Sequence, residues 1–481
     1  MGGFVGRQKE LETLASALGR VDNHMDDGAP GLCVFVRGRR RVGKSRLLEV
    51  FIERSEVPHL FFTASQQGDR ELRLFAEEAG ASSLANARAF AGVTPNTWDG
   101  ALTLLDAALP NDQVSVVVID EFPYLTNEDP TVEGTFQKHW DRHLSKKPVL
   151  LLLVGSNLAA MEALNTPGRP LFERGAEMVV PPLNPREVAE IVKSPTAAEA
   201  FDAYLITGGM PMLCDEWPTG ATADEYLEAV LDEPSSMFVT GALRSLDAEF
   251  PTEALARDIL TQIGSGETTF SNIARAAGGI QAMSLKRGLD LLTSRRVVVK
   301  QVPLSTKLSK ETRYRLTDPY MQFWLKYVSP YLSEIDRGRG DRTLDRVRLS
   351  FSSWRGRAIE PIVREALQRL LPINGIDAGA VGGYWTRTNV PEIDLIGADR
   401  EPIARSITFA GSIKWLDTAP LAQADFNALM ADAQLVPGVD TSTPLIAVSR
   451  TVVTAKGAAL TLGPEDLLAA WAQHQQDERE R

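Results

Sequence analysis

Two rhythms of apolar and polar positions run along this chain, and they predict where its strands and helices fall. Leu32-Cys33-Val34-Phe35-Val36, Val114-Ser115-Val116-Val117-Val118-Ile119 and Val149-Leu150-Leu151-Leu152-Leu153-Val154 are almost continuously apolar. Runs of strand length without alternation read as strands buried on both faces, the habit of a parallel sheet. Arg46-Leu47-Leu48-Glu49-Val50-Phe51-Ile52 reads as a helix. Further on, 252–264 carries Leu255, Ile259 and Ile263 at helical spacing, 269–278 predicts a second helix closed by Gly278, and 284–292 predicts a third with Leu285, Leu289 and Leu292. Residues 297–302 and Arg313-Tyr314-Arg315-Leu316 then predict a two-stranded hairpin. Three helices and a hairpin make a winged helix-turn-helix.

Composition narrows the class. At 481 residues the chain is too long for one core, and roughly 150 residues per domain predicts about three domains. An apolar fraction of 44% with 24% charged residues is globular. No apolar run approaches the ~18 residues that span a bilayer. The N-terminus lacks a basic segment followed by an apolar core, and glycine stands in Met1-Gly2-Gly3-Phe4-Val5-Gly6 where a myristoylation signal wants Ser or Thr. Cys33 and Cys214 make neither a disulfide framework nor a zinc set. The expectation is a cytoplasmic protein with no membrane partner.

The chemistry begins after the first apolar run. Gly38-Arg39-Arg40-Arg41-Val42-Gly43-Lys44-Ser45 fits G-x-x-x-x-G-K-[ST], between a strand and a helix as that motif requires. Its glycines let the backbone turn so that N–H groups face an anion, and the following helix adds its positive end. Lys44 would reach the β- and γ-phosphates and the Ser45 hydroxyl would hold Mg²⁺. These eight residues, with Arg46 at the helix start, form the expected site for ATP and Mg²⁺. The second run ends in Asp120-Glu121. Such a strand delivers carboxylates to the edge where open α/β sheets bind ligands. Asp120 would orient the metal, and Glu121 would activate the attacking water. The third run ends in Gly155-Ser156-Asn157, where Ser156 or Asn157, with Asn157 placed in the catalytic set, would touch the γ-phosphate or water; the other reading is a cap for the next helix, and one residue could serve both roles.

Several stretches resemble a known group. Phe4-Val5-Gly6-Arg7-Gln8-Lys9-Glu10-Leu11 looks like the opening of AAA+ and STAND ATPases, and the resemblance implies that this stretch, Arg7 included, lies against the adenine. Pro170-Leu171-Phe172-Glu173-Arg174-Gly175 resembles their segment with a charge-sensing arginine. Arg174 would be a finger acting on a neighbouring subunit, a sensor within its own, or a plain surface arginine, with Arg169 close by. Tyr204-Leu205-Ile206-Thr207-Gly208-Gly209-Met210-Pro211 is similar to the start of a small helical lid, and Asp318-Pro319-Tyr320-Met321-Gln322-Phe323-Trp324 to a further signature. The order of these stretches resembles the archaeal-type P-loop ATPase family of archaea and bacteria over nearly the full chain. The resemblance implies a multidomain α/β protein: a P-loop αβα domain over 1–185, a helical lid over 186–250, the winged helix over 251–335 and a C-terminal α/β domain over 345–475.

The last third, past a glycine-broken stretch at 336–342 that reads as a linker, offers Glu360 in a helix, Asp394 in a strand and Lys414 ending another. This pattern resembles the PD-(D/E)xK nuclease core, where paired carboxylates hold a metal and the lysine positions water. The acid expected before the lysine falls on Ser412, a weak Mg²⁺ ligand. The alternative is ordinary surface charge. The charged tail at 475–481 is expected to fray.

A net charge of −12 argues against a chain coated in nucleic acid but leaves room for a basic face. Between Ser284 and Arg315 stand Lys286, Arg287, Arg295, Arg296, Lys300, Lys307, Lys310, Arg313 and Arg315, opposed only by Asp290 and Glu311. The expected protein is an ATP-hydrolysing switch associated with duplex DNA through its winged helix. The alternatives are a signalling or assembly ATPase with a protein partner or a second copy of itself, and an ATP-gated, metal-dependent nuclease.

Overall fold

The structure is a computed structural model that describes residues 4–25, 30–65, 68–250 and 252–472. The charged tail at 475–481 and the first three residues lie outside the described residues. The chain forms two compact units, Met1–Pro182 and Leu183–Arg481.

The first unit holds one sheet of five parallel strands: β1 (Leu32–Arg37), β2 (His59–Thr63), β3 (Ser115–Asp120), β4 (Val149–Gly155) and β5 (Ala176–Val179). Their order is β2-β3-β4-β1-β5. Every residue of β3 and β4 is buried, as continuous apolar runs in a parallel sheet require. β1 lies between β4 and β5, so the chain leaves it on one side and returns on the other. Ligands of open α/β sheets bind at such a switch point, off the carboxyl ends of the strands.

The second unit begins with helices, Pro185–Val192, Ala197–Thr207, Pro211–Asp215, Ala223–Asp232 and Met237–Glu249. Ala254–Ser265, Phe270–Ala276 and Ala282–Ser294 follow, and then an antiparallel hairpin of β6 (Val298–Gln301) and β7 (Arg313–Leu316). These elements share one core with the helix Pro319–Tyr327, whose Phe323 and Trp324 are fully enclosed. The aromatic signature is therefore packing: Trp324 Nε1 donates to the Val239 carbonyl (2.8 Å) and Tyr320 Oη to that of Phe238 (2.7 Å).

The stretch at 336–342 is no linker. Gly340 opens a 19-residue helix, Gly340–Ala358. It is buried, and a Cβ there would overlap the Leu231 carbonyl oxygen. Glycine stands at this point for a close backbone approach, not for freedom.

A second sheet closes the unit: β8 (Ala380–Trp385), β9 (Glu392–Ala398), β10 (Ile407–Lys414), β11 (Leu445–Ser449) and β12 (Leu460–Leu462), in the order β12-β11-β10-β9-β8. β8, β9 and β10 pair antiparallel; β10, β11 and β12 pair parallel. The helix Glu360–Leu370 covers one face and Gln423–Ala433 the other. Phe201 and Leu205, from the helix Ala197–Thr207, are buried in the same core as Glu360–Leu370.

Candidate nucleotide site

β1 ends in Arg37, and the phosphate loop follows directly. Gly43 is left-handed (φ 86°) and so is Arg41 (φ 68°), which turns the chain sharply into the helix Lys44–Ser55. A Cβ on Gly38 would overlap the Val180 carbonyl oxygen, so only glycine fits at the loop's entry. Val42 is completely enclosed, and its carbonyl accepts from Arg7 Nη2 at 2.8 Å. Arg7 thus props the loop through its backbone. Arg40 reaches Tyr124 Oη at 3.4 Å in an exposed contact. Arg46 is exposed and paired with Glu49 and Glu53 along its own helix, away from the loop.

The chemistry gathers where β1, β3 and β4 end. Ser45 Oγ donates to Asp120 Oδ2 at 2.6 Å. Lys44 Nζ is buried and donates to the carbonyls of Gly38 (2.9 Å) and Arg39 (3.1 Å). Burial lowers the pKa of its ammonium, against the Glu121 and Asp120 carboxylates, which raise it. Burial also raises the pKa of Asp120, with the charge of Glu121 adding to that and the Ser45 hydrogen bond opposing it. A divalent cation between Ser45 and Asp120 would remove the cost of that buried carboxylate, so hydroxyl and carboxylate fit Mg²⁺.

Glu121 takes a left-handed backbone (φ 53°), unusual for a side chain of its size, and opens the helix Phe122–Glu128. Its Oε2 accepts from the Ser156 hydroxyl (2.9 Å) and backbone N–H (3.3 Å). Of the two residues at the tip of β4, Ser156 therefore meets the glutamate. Asn157 caps the helix Leu158–Leu164, accepting from the Ala160 N–H at 3.0 Å. Arg174 lies in a two-pronged pair with Asp141 (2.9 and 3.0 Å), and Arg169 is paired with the buried Glu133. No motif pointed to Arg37, a buried cation paired with Glu162 and with Glu177 (2.9 Å). Its one signal was an arginine closing an apolar run.

In the second unit, two of the three nuclease-pattern residues come together, since Arg364 donates to the Glu360 carboxylate (3.2 Å) and to the Asp394 carbonyl (2.7 and 2.9 Å), while Lys414 turns to another partner. Asp394 Oδ2 accepts from Ser412 Oγ (3.0 Å) and the Ile413 N–H (2.8 Å). Its pKa is pushed up to about 6, first by burial and then by the charge of Glu360. Glu360 is met by Arg364 (3.2 Å) and Arg315 (3.7 Å). Lys414 is tied to Asp425 at 2.6 Å, an ion pair that competes with any role for its ammonium beside Asp394. Asp425 was recognisable only as an acid in the first turn of a helix. Among the described residues, no group of three His, Cys, Asp or Glu side chains could hold a metal ion.

Fold and site together place a G-x-x-x-x-G-K-S loop at the switch point of a five-stranded parallel sheet, the fold of a P-loop domain that the resemblance implied. Residues 324–427 match the DUF234 family model, described as "Archaea bacterial proteins of unknown function". An uncharacterised protein of Methanocaldococcus jannaschii is 25% identical over 425 residues, covering 86% of this chain and 88% of its own length. Among solved structures, a Walker-type ATPase of Pyrococcus abyssi is 19% identical with a TM-score of 0.47, covering 67% of this chain and 96% of that one. The ORC2 protein of Aeropyrum pernix, in its ADPNP–ADP complexes, is 15% identical with a TM-score of 0.46, covering 70% of this chain and 97% of that one. No described helix is long and apolar enough to cross a membrane.

Proposed function

We propose that this chain binds and hydrolyses ATP at the loop from Gly38 to Ser45 and that it is a DNA-associated switch. The observation that carries the first part is the 2.6 Å contact between Ser45 Oγ and Asp120 Oδ2, with Glu121 one residue further on. That contact brings the loop hydroxyl and the strand-end carboxylate to one point. Ser45 and Asp120 would hold Mg²⁺, which would supply positive charge against the charge that develops on the phosphates. Loop N–H groups would hold phosphate oxygens. Lys44 would exchange its carbonyl partners for the β- and γ-phosphates, a stronger charge-assisted contact. Glu121 would orient and deprotonate the attacking water once its carboxylate turns from Ser156. Lys44→Ala should bring ATP turnover, measured as released phosphate, to background. Undiminished turnover would mean that the site is misassigned.

The DNA part rests on the three helices and hairpin at 254–316, which we read as a winged helix. On its third helix, Leu285, Leu289 and Leu292 are buried while Lys286 and Arg287 are exposed, as a groove-reading helix requires. The nuclease reading is the weakest of the three, since Ser412 replaces an acid and Lys414 is tied to Asp425. Duplex DNA incubated with Mg²⁺ or Mn²⁺ should stay uncut. Nicks that vanish in Asp394→Ala would restore that reading. A protein partner or a second copy is favoured by one observation, that Arg313 is spent on Glu392 and Arg315 on Glu360 and the Arg357 carbonyl, which takes two cations from a DNA surface.

A further inference from the structure

We propose that the C-terminal sheet lends its own cations to the hairpin, so that a DNA duplex crosses a band running from the helix Ala282–Ser294 over the hairpin onto the loops that carry Arg387 and Arg405. The proposal rests on the DNA reading above and goes past it, because it assigns a nucleic-acid contact to a domain whose nuclease-like residues are otherwise occupied.

The hairpin is not a free flap. Its connection runs across the second sheet as a strap. The Leu304 N–H donates to the Gly383 carbonyl (2.9 Å), and the Ala404 N–H to that of Ser305 (3.0 Å). Ser305 and Ile403 form a parallel bridge, and Leu304 is buried in the sheet's own core. Lys307 and Arg405, both exposed, stand two residues beyond the bridge in their two segments, so the bridge brings the stretches that carry these cations to the same edge of the sheet.

At the other end of the hairpin, Arg313 lies over the Trp385 ring (4.6 Å) and donates to Glu392 (2.6 Å) and Asn389 (2.9 Å). This fixes the turn between β8 and β9, with its exposed Arg387, against β7. Arg313 and Arg315 are thus occupied in holding the hairpin in place. What reaches solvent is Lys300, Lys307 and Lys310 from the hairpin, joined by Arg387, Arg400 and Arg405 from the sheet.

The opposing acids are partly occupied. Glu392 holds Arg313, and Asp399 Oδ1 accepts from the backbone N–H groups of Arg405 (2.8 Å) and Ser406 (3.1 Å). Asp399 Oδ2 also stands 3.9 Å from Arg400, so Glu311 and Glu401, with Asp290 on the helix Ala282–Ser294, are left to face the other five cations and that helix's Lys286 and Arg287. In a chain of net charge −12, the rest of the surface repels a polyanion, so a local excess of this kind decides where one can approach.

The test is fluorescence anisotropy of a short labelled duplex on the full chain, titrated over a range of salt concentrations. Arg387→Glu with Arg405→Glu should weaken binding on the order of tenfold and lower the slope of log affinity against log salt by about two, near 0.9 for each phosphate that is no longer neutralised. Arg387→Gln with Arg405→Gln should show the same change of slope with a smaller fall in affinity. Arg73→Glu, on the nucleotide-binding unit, controls for bulk charge and should change neither. If both double variants bind like wild type while Lys286→Glu with Arg287→Glu does not, the band is overturned and the DNA reading stands. If wild type shows no salt-dependent binding, the DNA reading itself falls. Tighter binding to an RNA duplex of the same sequence would overturn the choice of DNA.

Discussion

In Glu121→Gln, ATP should bind with wild-type affinity while turnover drops by about two to four orders of magnitude, the usual worth of a positioned general base. The expectation follows from where the carboxylate sits. Its backbone is fixed at the end of β3, directly after the Asp120 that meets Ser45. Its Oε2 is held by the Ser156 hydroxyl and N–H. An amide oxygen can accept the same two hydrogen bonds, so the variant keeps the local fold and loses only the ability to take a proton. Lys44→Ala differs in kind, because on the proposed reading it would remove a phosphate ligand, and it should weaken binding as well. Calorimetry with a non-hydrolysable ATP analogue and single-turnover phosphate release would be read together. Turnover within a few-fold of wild type, at unchanged affinity, would remove Glu121 from the role of base.

How much of this was legible in the sequence depends on how local the physics is. A phosphate cradle must turn tightly, expose N–H groups and start a helix, so its residue types recur at fixed spacing and can be read directly. The three buried strands were equally plain, because continuous apolar runs need both faces covered. At the tip of β4, two adjacent polar residues pointed to one role, and only the end geometry of the strand decides that Ser156 meets Glu121 while Asn157 caps a helix. The charge count over the hairpin was accurate as arithmetic, yet it overstated the free surface. Arg295 is tied to Glu253 and to the Glu249 carbonyl, and Arg313 and Arg315 reach Glu392 and Glu360, far along the chain. Partners so distant leave no trace in a local window. Gly340 shows the opposite failure. Glycine permits both a loose turn and a close backbone approach, and residue type alone does not distinguish them.

The largest effect on stability is expected from Asp202, a residue to which no motif drew notice. It lies on the helix Ala197–Thr207 and is almost fully buried. Arg355 Nη1 donates to it at 3.0 Å, and Arg450 donates twice, at 3.1 and 2.7 Å. Asp417 closes the group, at 2.7 Å from Arg355 and 2.9 Å from Arg450. Two largely buried guanidinium groups thus depend on two carboxylates, one of them partly open to solvent. Removing one partner of a buried ion pair costs about 3–5 kcal/mol, because the charge left behind has lost both water and counter-ion. Asp202→Ala should accordingly destabilise the second unit by that amount, read as a shift in the urea midpoint of its transition at unchanged slope. Asp202→Asn, which keeps the shape and one acceptor, should fall between the alanine variant and wild type. A loss below about 1 kcal/mol for Asp202→Ala would show that water or Asp417 alone satisfies both arginines. The position of the group gives the loss its meaning. On the same helix, Phe201 packs edge-to-face on Trp415 of the second sheet's core at 5.6 Å, while Ala203 and Ile206 belong to the core of the preceding helices. Apolar contacts tolerate sliding, but a bidentate arginine pair does not. Asp202 therefore fixes the register in which this helix, the helix Gly340–Ala358 and the C-terminal sheet meet, and its loss should loosen all three together.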